Sequence, residues 1–281
     1  MTPARLPSFD LVVATVGRVE ELERLLGSLE DQTYRAFRIL LVDQNDDDRL
    51  NEIPSRHPAL EIDHLRALRG LSRARNAGLG HLSADLVAFP DDDCVYPADL
   101  LERVARRFAT DPKLDGLSGR TGDFAGRLSS SWPHEPARLT RANLWYRALS
   151  ITMFLRRSFI TQVGQFDEQL GLGSGRPWSS GEETDYLVRA VDAGLQIEYD
   201  PDLVVLHHEK TFSPAALRSA GAREGASIGY ILRKHRYPRG TVGRMLIRPL
   251  GGALVALARR DRARADFHLS TLRGRVQGYR G

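Results

Sequence analysis

The stretch that decides the fold is SADLVAFPDDDCVYPADL, residues 83–100. Within it, the apolar run 85–89 is typical of a buried strand, and it ends in Pro90 and three adjacent aspartates, Asp91 to Asp93. Neighbouring carboxylates repel one another, and a divalent cation relieves that repulsion. Because Mg²⁺ and Mn²⁺ prefer carboxylate oxygens, the position after a buried strand favours a metal or nucleotide site over a solvated acidic turn that caps the next helix.

Strand-like and helix-like segments alternate around this stretch. The strand-like runs are 9–15, 37–48, 60–67 and 85–89, and apolar residues at helical spacing mark 18–32, 70–84 and 97–108. In 70–84 the predicted inward residues are Leu71, Ala74, Leu79 and Leu82. This alternation predicts an α/β fold with a mainly parallel central sheet and flanking helices. Since ligands of such sheets bind at the carboxyl ends of the strands, Asp43 and the aspartate run are expected at one edge.

The pattern is less regular after residue 110. Residues 118–136 and 171–181 are rich in glycine, serine and proline, which predicts two long loops. The remaining segments predict a strand and a short helix in 148–167, a helix in 182–194, a strand in 196–211 and helices from 214 onward.

Composition and charge limit the class of protein. The chain has 281 residues, 42% hydrophobic and 27% charged, as expected for a soluble globular protein. Residues 239–281 hold ten arginines and two aspartates, a net charge of +8, whereas the whole chain is +4, so residues 1–238 carry about −4. A basic tail on a mildly acidic body indicates an anionic partner such as phospholipid, nucleic acid or an anionic substrate.

The cellular compartment is also constrained. The single cysteine, Cys94, excludes an internal disulfide, so a reducing compartment is expected. The first residues contain no apolar run of signal-peptide length. The most apolar stretch, 245–258, is shorter than the roughly 20 residues of a membrane-spanning helix. We therefore expect a cytoplasmic protein.

Two further groups of polar residues are candidate site residues. Glu182, Glu183 and Asp185 begin a helix after a glycine-rich loop, where they either complement the helix dipole or supply a general base. His207 and His208 end a strand and point to opposite faces, so at most one of them faces a site.

The order of these motifs resembles that of glycosyltransferase family 2. The segments that carry the resemblance are VVATVGRVEELERLLGSLEDQTY, FRILLVDQND, GLSRARNAGL, LVAFPDDDCVYP and GEETDYLVRAVDAG, within roughly residues 8–210. Two of them depart from the family pattern. The usual Pro-Thr-Tyr-Asn-Arg after the first strand reads Ala14 to Arg18, and the aspartate of the usual Glu-Asp pair is Glu183.

The resemblance implies a GT-A fold in residues 1–212 and a helical, basic extension in 213–281. It implies a nucleoside-diphosphate-sugar donor bound near Ala14, Thr15, Arg18, Glu20, Asp43, Arg75, Asn76, Asp91 and Asp92. It implies a Mg²⁺ or Mn²⁺ ion bound by Asp93, Asp91 and His207. Glu183 is the implied catalytic base, and Glu182 and Asp185 are the other positions for it.

The implied reaction moves the sugar to a hydroxyl group of a glycan, a lipid-linked acceptor or a surface-polysaccharide intermediate. The metal neutralises charge on the leaving nucleoside diphosphate, and the carboxylate base removes the proton of the attacking hydroxyl. A single direct displacement inverts the configuration at the anomeric carbon. In this scheme Asp92 points away from the metal and holds either the local loop or the donor sugar.

Two other classes of protein match parts of the pattern. A sugar-1-phosphate nucleotidyltransferase needs a glycine-rich loop with arginine or lysine after the first strand, but TVGRVEEL (15–22) has one glycine and no lysine. A non-enzymatic metal-binding or nucleic-acid-binding module would use the acidic run or the arginine-rich tail. That tail has only Phe267 and Tyr279 as aromatic residues, which argues against base stacking on nucleic acid.

The tail itself allows two interpretations. Four leucines recur at helical spacing in 246–257, so they either pack on protein or lie in a membrane interface with the arginines among anionic headgroups. We favour peripheral association with the inner face of the cell membrane. Pro249 and the pair Gly251-Gly252 predict two shorter helices here rather than one.

Overall fold

The computed structural model describes residues 5–128, 132–208 and 213–281, and nine strands in these ranges form one mixed sheet. The strands are β1 (Phe9–Thr15), β2 (Phe37–Asp43), β3 (Ile62–Arg66), β4 (Leu86–Ala88), β5 (Cys94–Val95), β6 (Gly116–Gly122), β7 (Ala137–Arg138), β8 (Met153–Arg156) and β9 (Ile197–His207). Hydrogen-bonded neighbours follow the order β3-β2-β1-β4-β8-β6-β9-β5, and β7 pairs with β9. The predicted α/β class is confirmed.

Helices fill the connections of the sheet and the C-terminal part of the chain. They are α1 (Glu20–Glu30), α2 (Ile53–Arg56), α3 (Leu71–Leu79), α4 (Leu100–Thr110), α5 (Arg157–Val163), α6 (Glu182–Asp192), α7 (Pro214–Lys234), α8 (Arg239–Ala258) and α9 (Arg262–Arg280). The chain divides into two compact units, Met1–Phe166 with Tyr186–Glu209 and Asp167–Asp185 with Lys210–Gly281. The domain boundary predicted after residue 212 adjoins residues 209–212, which lie outside the described ranges, and it stays a prediction.

Strands β1 and β2 are buried on both faces, as their near-continuous Val, Leu and Ile residues predict for parallel strands. β2 pairs with β1 and β3, and β4 pairs with β1, all in parallel. In this register Thr15 lies opposite Asp43, so the last residues of β1 and β2 meet at one edge of the sheet. That edge is where a parallel sheet is expected to bind its ligand.

The second half of the sheet mixes strand directions. β8 is antiparallel to β4 and to β6, and β9 is parallel to β6. The two-residue strand β5 pairs in antiparallel with the end of β9, which sets Cys94 opposite His207. Because Asp93 directly precedes Cys94, this pairing places the aspartate run beside His207.

The prediction of a surface loop in 118–136 is wrong at its beginning. Residues Gly116–Gly122 are strand β6, which is almost entirely buried. A Cβ on Gly119 would lie 2.2 Å from the carbonyl oxygen of Leu203, at the point where the pairing of β6 with β9 shifts register. Small residues that suggest a loop therefore mark a strand that another backbone approaches closely. Residues 129–131 of the predicted loop lie outside the described ranges.

Helix α3 turns a different face to the protein interior than its apolar spacing predicts. Ala74 is buried as expected, but the three leucines predicted to face inward are only partly buried. The other buried residues of the helix are Ser72, Arg75, Asn76 and Gly78. A Cβ on Gly78 would lie 2.5 Å from Val12 Cγ1, so this glycine lets α3 approach β1. The apolar pattern misleads because the buried polar side chains have polar partners.

In the second unit, α7 and α9 pack with their backbones almost in contact. Gly221, Gly225 and Gly229 recur every fourth residue along α7 and face α9. A Cβ on Gly225 would lie 2.3 Å from the carbonyl oxygen of Thr271. Only glycine fits at so close an approach, so these positions set the spacing of the two helices.

Helix α8 is continuous, and the prediction of two shorter helices is wrong. Pro249 lies inside it. A proline has no N–H for the carbonyl four residues earlier, and that carbonyl, of Met245, accepts a hydrogen bond from Arg275 of α9. The chain turns instead at Arg260, where φ is +59°. Of the described residues, α8 is the one helix long and apolar enough to cross a membrane, by a length and composition test that core helices of soluble proteins also pass.

Gly225→Ala is expected to destabilise the protein and Gly243→Ala to stabilise it. Both glycines lie inside helices, but a Cβ on Gly225 would meet the backbone of α9, whereas nothing lies within 4 Å of one on Gly243. Overpacking destabilises by about 1–3 kcal/mol, and replacing an unconstrained helical glycine by alanine stabilises by about 0.5–1 kcal/mol. Urea unfolding of the full chain, followed by circular dichroism, measures both changes. A Gly225→Ala variant as stable as the wild type would contradict the close packing of α7 on α9.

Candidate active site

Asp43, at the end of β2, is a fully buried carboxylate held by three neighbouring side chains. Its Oδ1 accepts hydrogen bonds from the backbone N and the Nδ2 of Asn45, at 2.8 and 2.7 Å. Its Oδ2 lies 3.0 Å from His64 Nε2 and 3.1 Å from Arg66 Nη1. The carboxylate is therefore fixed in position at the carboxyl edge of the sheet.

The loop between β1 and α1 is tied to the same edge through Asn45. The Oδ1 of Asn45 accepts a hydrogen bond of 2.7 Å from the backbone N of Gly17. Gly17 has φ = +73°, a conformation that favours glycine. The next residue, Arg18, then reaches the aspartate run. Ala14 is partly buried near the end of β1, and Glu20 is exposed at the first residue of α1.

The buried Asp92 connects the aspartate run to β1 and to the β1–α1 loop. Its Oδ2 accepts a hydrogen bond of 2.7 Å from Thr15 Oγ1, and its Oδ1 accepts one of 2.6 Å from Arg18 Nη1. The same Arg18 nitrogen lies 2.8 Å from Asp93 Oδ2. Burial raises the pKa of the Asp92 carboxyl, although Thr15 and Arg18 oppose the shift. Asp92 thus directs its carboxylate toward β1, as the alternation along the run predicts.

Asp91, Asp93 and His207 form the cluster that could hold a metal ion. One ligand atom from each lies within 4.8 Å of the others, and His207 Nε2 is 3.0 Å from Asp93 Oδ1. His208 points elsewhere, with its ring 5.9 Å from that of Phe124, so only one histidine of the pair joins the acids. Two carboxylates and one imidazole are a donor set that fits a divalent cation of the Mn²⁺ or Mg²⁺ kind.

Helix α3 directs one side chain, Arg75, to the aspartate run and another, Asn76, to the backbone of Phe166. Arg75 is 1% exposed, lies with its guanidinium 5.6 Å from the ring centre of Phe166, and places Nη2 3.2 Å from Asp91 Oδ1. The amide of Asn76 instead pairs with the backbone of Phe166, donating to its carbonyl at 3.0 Å and accepting from its N at 2.8 Å. Asn76 therefore anchors the segment before residue 167.

The candidate bases belong to the second unit and have distinct environments. Asp185 is fully buried, and its Oδ1 lies 2.7 Å from both Lys234 Nζ and His235 Nε2. Glu182 is 5% exposed, whereas Glu183 is only partly buried. Of the three carboxylates, Glu183 is therefore the most accessible to a substrate, and Asp185 is engaged in a buried ion pair.

Several residues around these groups are absent from the sequence-based prediction. Asn45, His64 and Arg66 surround Asp43, and Lys234 and His235 hold Asp185. The pairing of β2 with β3 sets Arg66 opposite Asp43, so correct strand register would have identified this neighbour. No local pattern links residues 234 and 235 to residue 185, because that contact is long-range.

A family model, Glycosyl transferase family 2, matches residues 10–165, which is more than half of the chain. A relative in sequence is glycosyltransferase AglE of Haloferax volcanii, 25% identical over 221 residues that cover 74% of this chain and 69% of that protein. The residues matched by the family model include Asp43 and the run Asp91 to Asp93.

Solved structures are similar over almost the whole chain. The mannosyltransferase PcManGT of Pyrobaculum calidifontis, in complex with GDP-Man and Mn²⁺, has a TM-score of 0.65 at 15% identity, covering 98% of this chain and 88% of its own. TarS 1–349 of S. aureus, in complex with UDP-GlcNAc, has a TM-score of 0.60 at 17% identity, covering 96% and 92%. The chain spans 55% of a longer TarS chain. These likenesses show the GT-A fold, and the family match shows that the chain is a glycosyltransferase that belongs to glycosyl transferase family 2.

Proposed function

We propose that the chain transfers a sugar from a nucleoside-diphosphate donor to a hydroxyl group of an acceptor, with inversion at the anomeric carbon. The observation that carries the proposal is the cluster of Asp91, Asp93 and His207 beside the carboxyl edge of the sheet. Two proteins of similar fold support the donor class, since PcManGT was solved with GDP-Man and TarS with UDP-GlcNAc. Membership of the family leaves the nucleotidyltransferase and the non-enzymatic module without support.

The diphosphate of the donor is proposed to bind at this cluster. Asp91, Asp93 and His207 would hold Mn²⁺ or Mg²⁺, and the imidazole favours Mn²⁺. A divalent cation bound there supplies the charge that stabilises the leaving nucleoside diphosphate. Arg18 and Arg75 lie beside the aspartates, and we propose that their guanidinium groups contact phosphate oxygens as well.

The nucleobase is proposed to bind at the carboxyl ends of β1 and β2, next to the paired residues Thr15 and Asp43. Four donor atoms fix the position of the Asp43 carboxylate at this edge, and we propose that it accepts a hydrogen bond from an N–H of the base. Of the other predicted donor residues, we propose Asp92 and Asn76 as supports of the site. Their polar atoms are engaged by Thr15, Arg18 and the backbone of Phe166.

The general base is proposed to be Glu183. It removes the proton of the acceptor hydroxyl as that oxygen forms a bond to the anomeric carbon, while the bond from this carbon to the diphosphate breaks. The burial of Glu182 and Asp185, compared with the partial burial of Glu183, favours Glu183 over its neighbours.

The acceptor is proposed to be a glycan, a lipid-linked molecule or an intermediate of a surface polysaccharide. We propose a cytoplasmic protein that associates peripherally with the inner face of the membrane. The support for this location is the net charge of +8 in residues 239–281, which anionic headgroups attract.

Asp93→Asn is expected to weaken Mn²⁺-dependent binding of UDP or GDP by about tenfold or more, because it removes one charged metal ligand while keeping the size of the side chain. Calorimetric titrations with and without Mn²⁺ measure the effect. Asp266→Asn, at an exposed position of α9, is the matched control. A nucleotide affinity in Asp93→Asn equal to that of the wild type, with Mn²⁺ present, would contradict the proposed metal site.

Glu183→Gln is expected to lower turnover by about 10²-fold or more, the usual scale of general base catalysis, while the donor still binds. Product formation and donor affinity are measured on the same preparation. Glu52→Gln, an exposed glutamate ahead of α2, is the control and should retain activity. A Glu183→Gln variant with normal turnover, beside a folded but inactive Asp185→Asn variant, would move the base to Asp185.

A further inference from the structure

The outer face of α8 exposes an unusual amount of apolar surface. Its residues are Ile247, Leu250, Leu254, Val255 and Leu257, which are between 42% and 68% exposed. The opposite stripe, which includes Val242, Met245 and Ala253, is buried within the second unit. Only 28% of the most apolar window of α8 is buried, so this helix is not a core helix. An exposed apolar patch of this kind on a soluble protein marks an interaction surface.

The charge around this face identifies the partner. Residues 239–258 contain three arginines and no acidic residue, and Arg259 and Arg260 follow directly. Arg244 and Arg248 are one turn apart and exposed beside Ile247. A second copy of this face would bring guanidinium groups against one another, and nucleic acid would leave the apolar side chains without a matching surface. An anionic phospholipid surface offers phosphate groups and acyl chains together.

We propose that the outer face of α8 lies in the interface of an anionic membrane, with its apolar side chains among the acyl chains and its arginines at the phosphate groups. The inference deepens the proposed peripheral location and does not depend on the chemistry of sugar transfer. It assigns the contact to one face of α8, where the sequence left open whether the leucines of 246–257 pack on protein or lie in a membrane interface.

Sedimentation of the full chain with vesicles tests this surface. The wild type is expected to sediment with vesicles of phosphatidylcholine and phosphatidylglycerol at low salt, to stay soluble with phosphatidylcholine alone, and to be released at high salt. Leu254→Glu should weaken binding about tenfold or more, as expected for losing one buried leucine side chain. Leu68→Glu, at a leucine of similar exposure in the first unit, is the matched control.

Each other result would overturn the proposal in a distinct way. If the wild-type protein stays in the supernatant, the proposed membrane association is wrong. If Leu254→Glu binds vesicles as tightly as the wild type, the outer face of α8 is not the membrane contact. Resistance of the bound protein to high-salt and alkaline washes would indicate insertion across the bilayer. Binding to duplex DNA that vesicles do not compete for would indicate nucleic acid as the partner. Vesicles need no sugar donor, so these outcomes are independent of Glu183→Gln.

One face of α7 contacts residues 178–181, which directly precede the helix turn that carries Glu183. Ser227, Tyr230, Ile231 and Lys234 recur at intervals of three and four residues and so share one face of the helix. Ser227 Oγ lies 2.7 Å from Ser180 Oγ. The ring of Tyr230 stacks on that of Trp178 with centroids 4.8 Å apart, and Ile231 lies beside Gly181. Residues 178–181 directly precede α6 and are thus held at successive points.

Lys234 forms ion pairs with the residues on either side of 168–184. Its Nζ lies 2.7 Å from Asp167 Oδ2 and 2.7 Å from Asp185 Oδ1, the two acids that bracket residues 168–184. Burial acts to lower the pKa of Lys234, but the two carboxylates outweigh it, so its pKa lies above the usual value. Between the two acids, Gly171, Gly173, Gly175 and Gly181 have positive φ, so the segment has little secondary structure of its own to fix it.

We infer that Lys234 is a positioning residue, which sets the first turn of α6 by joining Asp167 to Asp185. This inference rests on the proposed role of Glu183, since that first turn carries Glu182 and Glu183. Lys234 touches no reacting atom and acts through the segment that it holds.

Lys234→Met removes the charge, and Lys113→Met, at an exposed lysine before β6, is the matched control. Lys234→Met is expected to speed amide hydrogen exchange in 168–184 and to lower kcat by up to about 10²-fold, the scale of a small misplacement of catalytic groups, with the KM for the donor nearly unchanged. Lys234→Arg, which keeps both ion pairs, should restore most of the activity.

The two readouts separate the possible failures. If amide exchange in 168–184 is unchanged in Lys234→Met, the inference that Lys234 holds this segment is wrong. Faster exchange with normal kcat would show that Lys234 has a structural role only. If Glu183→Gln is active, the proposed base fails while the exchange result stands. If Lys234→Met does not fold, the arginine variant still decides, because loss of activity there would contradict a role based on charge.

Discussion

Repulsion among three adjacent carboxylates is the constraint on which the site depends. Each acid of the run has compensating partners: Asp91 contacts Arg75, Asp92 contacts Thr15 and Arg18, and Asp93 contacts the same Arg18 and His207. These partners come from the end of β1 with the loop that follows it, from α3 and from β9, so compensating the charge of a few residues requires three segments that are distant in sequence to meet. A buried carboxylate without partners is strongly unfavourable. The same arrangement that stabilises the acids therefore brings together the residues that we propose bind the donor.

The sequence predicts the parts of this arrangement that local patterns encode. Near-continuous apolar runs indicate β1 and β2, and alternation along a strand explains why His207 joins the acids while His208 does not. The pattern fails where small or polar residues are buried by close packing. Gly119 in β6 and the inward Arg75 of α3 are such cases, since their environment is set by Leu203 and by Asp91, which are far away in sequence.

The candidate base shows the same division between local and long-range information. Spacing alone leaves Glu182, Glu183 and Asp185 equivalent, as acids in the first turn of a helix. Burial distinguishes them, since Glu183 alone is partly exposed, and Asp185 is held by Lys234 and His235 from about fifty residues further along the chain. The C-terminal helices thus hold the segment that carries the proposed base, through contacts inside their own unit. They also carry an outer surface whose chemistry is suited to a different partner.

The hydrogen bond from Arg275 to the Met245 carbonyl ties two helices into one backbone network. Pro249 cannot supply the usual helical donor, so a side chain of α9 completes the main-chain bonding of α8. Withdrawing α8 from α9 would transfer a bare peptide carbonyl into whatever medium surrounds it, and hydrocarbon tolerates such a group far less than water does. Alone, α8 is therefore poorly suited to cross a bilayer, despite its length and composition. With α9 packed on it, the Met245 carbonyl already has a donor, so in the proposed contact with a lipid surface the two helices would bind as one unit.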